Sequence, residues 1–167
     1  DLWDALKNLN PVTGGVLSEE FIAFEDLDAG CFVSVFKDAE DGDKLKARKA
    51  CSLVDETETF KICNGYVLKA YASGVTAVVY YNGINTAYSG FDELETGSAV
   101  YISDTAGEVS QARKRGAELQ MVGMVVKSGI LFVPGDVVPD CCGCTEYGDS
   151  NNCDEVTGLR NPEMVTD

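Results

Sequence analysis

Seven cysteines and no histidine set the limits of what this 167-residue chain can do chemically. Without imidazole, both the commonest general base and the commonest metal ligand are missing. Ser-His-Asp and Cys-His nucleophile pairs therefore cannot be assembled within the chain. Four cysteines crowd near the C-terminus as Cys141-Cys142-x-Cys144, with Cys153 after a further eight residues. A zinc knuckle wants two spaced pairs of ligands, which this pattern does not supply. Disulfides account for it better, because a segment without a core gains about 3 kcal/mol from one closed loop. A vicinal ring is strained, so Cys141 and Cys142 are not expected to bond each other. Cys144 with Cys153, or either with Cys31, Cys51 or Cys63, all stay open. Cys51 and Cys63 flank residues 52–62 and could clip that loop shut. An odd count leaves at least one thiol free or paired between subunits. A metal site and simple free thiols are the remaining alternatives, and the redox state of the surroundings decides among them.

Carboxylates offer a second chemistry. Asp38, Glu40, Asp41 and Asp43 fall within six residues, and Asp149, Asp154 and Glu155 surround Asn151 and Asn152. Hard cations take oxygen ligands at such spacing, but neither stretch completes an EF-hand loop. The plain expectation is a solvated acidic turn, with no metal and no other cofactor. Cations cluster only at Lys44, Lys46, Arg48 and Lys49 and at Arg113-Lys114-Arg115. Either cluster could meet an acidic patch on a partner; the alternative is a solvated strand face and a polar loop. Tyr66, Tyr71, Tyr80, Tyr81 and Tyr88 concentrate mid-chain, where exposed rings would contact glycans or protein and alternate ones would pack a core. No phosphate-cradling Gly-rich motif is present, and no pair of carboxylates can be assigned to a cleft. No catalytic residue is assigned, and an enzyme is the least expected class.

The elements that must position these groups read as β. The chain is 45% hydrophobic with a mean hydropathy of -0.05, as in globular proteins. Its 167 residues suffice for one domain with its own core. No apolar run approaches the ~18 residues that span a bilayer. The N-terminal residues lack the basic-then-apolar order of a signal peptide. A start at Asp1 implies residues lost ahead of it, or a segment taken from further along a longer chain. Acids outnumber bases 28 to 13, for a net charge of -15, so a nucleic-acid partner is rejected.

Residues 1–15 read as a short amphipathic helix or arm, with Leu2, Trp3, Leu6 and Leu9 near helical spacing before Pro11, Gly14 and Gly15 stop it. It either caps the domain's own core or docks on a neighbouring subunit through Trp3 and Leu6. Residues 16–138 carry short strands at Cys31–Phe36, Lys44–Ala50, Gly65–Tyr71, Val75–Tyr81, Ala99–Ser103, Glu108–Gln111, Leu119–Val126 and Ile130–Val133. Turns are expected at Lys37–Asp43, Ser73-Gly74, Asn82-Gly83, Asp104–Gly107 and Lys127–Gly129. On Lys44–Ala50, Leu45 and Ala47 share one face, and Lys44, Lys46 and Arg48 the other. Gly123, inside a strand, marks a bulge or a close backbone contact. Such spacing predicts an all-β fold, a small antiparallel barrel or sandwich. Residues 139–167 hold seven acids against Arg160 alone and show almost no periodicity, an irregular acidic, Cys-rich tail.

The order of pieces from about Ala29 to Val138 carries a resemblance. "AGCFVSVF" precedes "DKLKARKA"; "GYVLKAYASGVTAVVYYNGINTAYSGF" leads to "LETGSAVYISDTAGEVSQ"; "LQMVGMVVKSGILFVPGDVV" closes it. This resembles the capsid-decoration, capsid-cement and head-fibre proteins of tailed phages, over roughly two-thirds of the chain. The resemblance implies a β-barrel on the virion surface that binds the major capsid protein or another virion protein, often as a homotrimer, with no nucleic acid and no membrane. Lys44, Lys46 and Arg48, with Trp3 and Leu6 of the arm, are then the candidate capsid or subunit contacts. Two other readings compete: a receptor- or glycan-binding module of a phage fibre, and a secreted protein that assembles into a sheath or filament.

Overall fold

A computed structural model describes residues 15–52, 60–112 and 119–138. Trp3 and Leu6, the Arg113–Arg115 cluster and the tail cysteines Cys141, Cys142, Cys144 and Cys153 lie outside the described residues. Within them the chain is all-β, interrupted only by single 3-10 turns at Ala39–Asp41 and Phe91–Glu93.

Five strands close into a barrel: β1 (Ser18–Ala23), β2 (Phe32–Asp38), β3 (Lys44–Lys49), β4 (Gly65–Tyr66) and β5 (Thr76–Tyr80). They run in the order β1-β3-β2-β4-β5, and β5 pairs back onto β1. Closure leaves none of the five as an open edge. One pairing, β1 with β3, is parallel, in register Ile22↔Lys46 and Ala23↔Ala47; the rest are antiparallel. Strands β2 and β3 form the expected hairpin, Val33↔Lys49 through Asp38↔Lys44. The Asp38 carboxylate accepts a hydrogen bond from the Glu40 N–H (3.1 Å), and Gly42 and Asp43 take left-handed φ values of 66° and 62° to complete the turn. The Gly65–Tyr71 strand is shorter than its composition suggests. Only Gly65 and Tyr66 are strand; the chain bends at Leu68 and Lys69, and Tyr71 rejoins as a single bridge to Leu27.

The remaining strands form a second sheet: β6 (Ile84–Asn85), β7 (Ala99–Ile102), β8 (Val109–Ser110), β9 (Leu119–Val126), β10 (Gly129–Phe132) and β11 (Val137–Val138). Their order is β6-β10-β9-β7-β8, with β11 also on β9. Val133 and Gly135 N–H donate to Val122 and Met121 carbonyls, so the chain keeps to β9 between β10 and β11.

Period-two alternation lets strands of the barrel serve two cores. Val33, Val67 and Val79 point into the barrel with Phe21, Ala23, Ala47 and Ala77. A five-stranded barrel has a narrow lumen, which explains three alanines at its centre. The neighbours Phe32, Tyr66 and Tyr80 point the other way, onto the second sheet. There Phe132 stacks on Phe32 at 6.1 Å and meets Tyr66 edge-on at 5.4 Å. Fully burying side chains of this size contributes about 2–3 kcal/mol each, so this interface holds the sheet against the barrel.

Two buried amides complete the junction. Gln120, 1% exposed, brackets Cys63: its Oε1 accepts from the Cys63 N–H (2.8 Å), and its Nε2 donates to the Cys63 carbonyl (2.8 Å) and to Gly135 (3.1 Å). Asn85 donates to the Gly30 carbonyl (2.8 Å) and accepts from Ala87 N–H (3.1 Å). Gly30 permits that approach, since a Cβ there would stand 2.2 Å from the Ala87 carbonyl.

Candidate docking surfaces

The thiols are the most reactive groups the sequence offers. Cys31, Cys51 and Cys63 are buried, and none of the three is in a disulfide. The expected Cys51–Cys63 clip is therefore not formed. Cys51 instead pairs its backbone with Lys61, and the two sulfurs donate to different carbonyls: Cys51 Sγ to Asp104 (3.3 Å), Cys63 Sγ to Gly65 (3.4 Å). Burial pushes the thiols of Cys31 and Cys63 up to about 12. A thiol that is hard to ionise is a poor nucleophile and a poor metal ligand.

The basic strand is brought together with the acidic turn that precedes it. Lys46 Nζ sits 2.8 Å from Asp38 and 2.9 Å from Asp41, and Lys44 lies 3.1 Å from Asp41. The Lys46 ammonium holds both carboxyls below their ordinary range, and they raise Lys46 in turn. Lysines thus engage Asp38 and Asp41 of the acidic turn. Among the described residues, no three acids, cysteines or histidines gather to hold a metal. Lys44 and Lys46 face outward as the alternation predicts, but their charge is neutralised within the chain. Arg48 lies with its guanidinium 4.0 Å above the Phe36 ring, and Phe36 meets Phe24 edge-on at 5.0 Å. Phe24 is 47% exposed, so this cluster is an aromatic platform on the barrel's outer wall.

Tyr66 and Tyr88 belong to the core. Tyr66 donates to the Asn82 carbonyl (2.7 Å); Tyr88 accepts from Val109 N–H (3.2 Å). Burial raises both phenols, Tyr66 to about 12. A cavity of about 290 Å³ is lined by Ser52, Ile102, Ser103, Asp104, Ser110 and Leu119. Its Ser103 hydroxyl lies 3.4 Å from the Asp104 carboxylate. An ordinary carboxylate is too weak a base to activate a serine at neutral pH.

The surface that the sequence did not single out is the outer face of the second sheet. Ile84 pairs with Leu131, Leu131 with Met124, and Met124 with Ala99, making one row across four strands. A second row sets Met121 beside Tyr101 and Ser110. Neither row contains a charged side chain. Ile84, Met121, Met124 and Leu131 are 37–46% exposed. Met121 and Met124, three apart, would face opposite ways on a regular strand. They share a face because the register slips between Val100 and Tyr101: Val100 pairs with Gly123 but Tyr101 with Met121, leaving Val122 as the extra residue of a bulge. Gly123 stands at that bulge, as its place in the strand predicts, and a Cβ there would lie 2.2 Å from the Leu131 carbonyl.

Searches with the sequence found no matching family model and no significantly similar curated protein.

Proposed function

We propose that this chain is a structural protein of the exterior of a tailed-phage particle, attached to the capsid or to the base of a head fibre as a homo-oligomer, a trimer. The observation that carries the reading is the withdrawal of reactive groups inside a closed, two-core β body. The thiols of Cys31 and Cys63 are buried and held protonated, and the lysines of the basic strand are engaged by Asp38 and Asp41. Such a body offers surface in place of reactive groups, which is what a coat component needs. The strand-and-turn order from Ala29 to Val138 that resembles decoration modules supports the same reading, as does the charge of -15, which keeps a protein soluble at high local concentration. Attachment multiplied over many copies would then be its work.

Electron cryo-microscopy of particles carrying the chain tests this. The expected density repeats at fixed points of the capsid lattice, three copies together. Density confined to tail or spike tips, or none on the particle, would refute it.

The Phe24–Phe36–Arg48 platform favours a second reading, a glycan- or receptor-binding module. An exposed ring beside a guanidinium suits stacking on a sugar face. A glycan array with the native protein and with Phe24→Ser separates the two: binding that the substitution abolishes would favour this second reading.

A further inference from the structure

The uncharged outer face of the second sheet is exposed on a protein of net charge -15, and such a face is normally covered. The described body begins beside it. The Leu17 N–H donates to Asn82 Oδ1 (2.8 Å), and the Val16 side chain lies against Gly83, the residue before Ile84. The described residues thus begin at the β6 edge of the face. The sequence of residues 1–14 carries an uncharged stripe, Leu2, Trp3, Leu6 and Leu9, opposite Asp1, Asp4 and Lys7. As a helix, residues 2–9 would be about 12 Å long and about 10 Å wide. The four strands from β6 to β7 span about 15 Å, so one such helix fits the row. Residues 10–14 reach up to about 17 Å when extended, enough to bring it back over the sheet.

We propose that residues 2–9 lay their Leu2, Trp3, Leu6 and Leu9 stripe across the Ile84–Leu131–Met124 row of the same chain. The contact closes a third apolar layer over the sheet and goes beyond the structural role proposed above, on which it does not depend.

Trp3 is the chain's single tryptophan and reports the contact directly. The full-length protein is examined by fluorescence with iodide quenching, across a dilution series. The expected emission is blue-shifted from that of the urea-unfolded chain, with several-fold weaker quenching, at every concentration. Leu131→Glu on the sheet and Leu6→Asp on the stripe should each shift the emission to the red and restore quenching, with the β circular-dichroism signal retained. Because Leu6 lies outside the described body, its variant keeps the test decisive if Leu131→Glu fails to fold. Solvent-like Trp3 emission in the native chain, protection that Leu6→Asp leaves unchanged, or protection lost on dilution would overturn the proposal; the last would assign the stripe to a neighbouring copy.

Discussion

Replacing Gln120 with Leu tests how the two sheets are joined. The side chains are close in volume, so packing changes little, but three hydrogen bonds disappear. Gly135 is exposed, and its carbonyl can turn to water. The Cys63 N–H and carbonyl cannot, because Cys63 is 1% exposed and Gln120 is the side chain that reaches them. A buried, unsatisfied backbone group costs about 1–3 kcal/mol. Two such groups, less the gain from a more apolar side chain, give a loss of about 3 kcal/mol. That is a large part of the roughly 5–15 kcal/mol that holds a domain folded. With a urea m-value of about 2 kcal/mol/M, the unfolding midpoint should fall by about 1.5 M, with little change in slope. The assay is equilibrium urea unfolding followed by circular dichroism. A midpoint within about 0.3 M of the native protein's would refute the reasoning, for it would mean that water already serves Cys63 or that the junction contributes little to the cooperative unit.

Gly123→Ala should destabilise by about 3 kcal/mol, because its Cβ would strike the backbone oxygen of Leu131, whereas Ala at Gly42, where nothing lies within 4 Å, should cost only its left-handed backbone strain; thermal melts of the two variants check the difference. The Lys46 cluster predicts a pH dependence with a definite sign. Asp38 and Asp41 titrate below their ordinary value of 3.8, so their contribution is complete above that value and is lost as pH falls through the lowered ones. Lys46 titrates above 10.5, so its contribution holds below that value and is lost as pH rises through the raised one. The difference in Tm between the native protein and Lys46→Met should therefore be largest near neutrality and shrink at both ends; a difference that stays constant down to about pH 2 would contradict the pairing. Cys31 and Cys63, raised to about 12, should resist iodoacetamide at pH 8 and react only in denaturant, as peptide mapping by mass spectrometry would show.

Local chemistry was legible in the sequence. Glycine and Asn or Asp at turns, and alternation between them, specify strands through interactions of neighbouring residues, and the hairpin around Lys37–Asp43 and the return from Leu119–Val126 to β10 follow that pattern. Gly123 could be recognised as irregular for the same reason. What strand composition alone misjudged was Gly65–Tyr71, where the backbone after Tyr66 leaves the ladder to hold Cys31, Gly30 and Leu27 by separate bonds.

The rest depends on residues far apart in the chain. Closure of the barrel needs β1 beside β3 in parallel and β5 beside β1, pairings that no turn motif encodes. The Cys51–Cys63 clip looked natural as a loop closure, but only the fold sends the two sulfurs to different carbonyls. Gln120 and Asn85 were unremarkable polar residues until burial made their partners obligatory. The uncharged face of the second sheet was hidden by its own bulge, which breaks the period of two and brings Met121 and Met124 to one side. Alternation and turn residues are properties of adjacent positions, and they suffice to make this protein β; which faces pair, which charges cancel and which surface is left bare are properties of strands brought together across the chain, and they arise with the assembled fold.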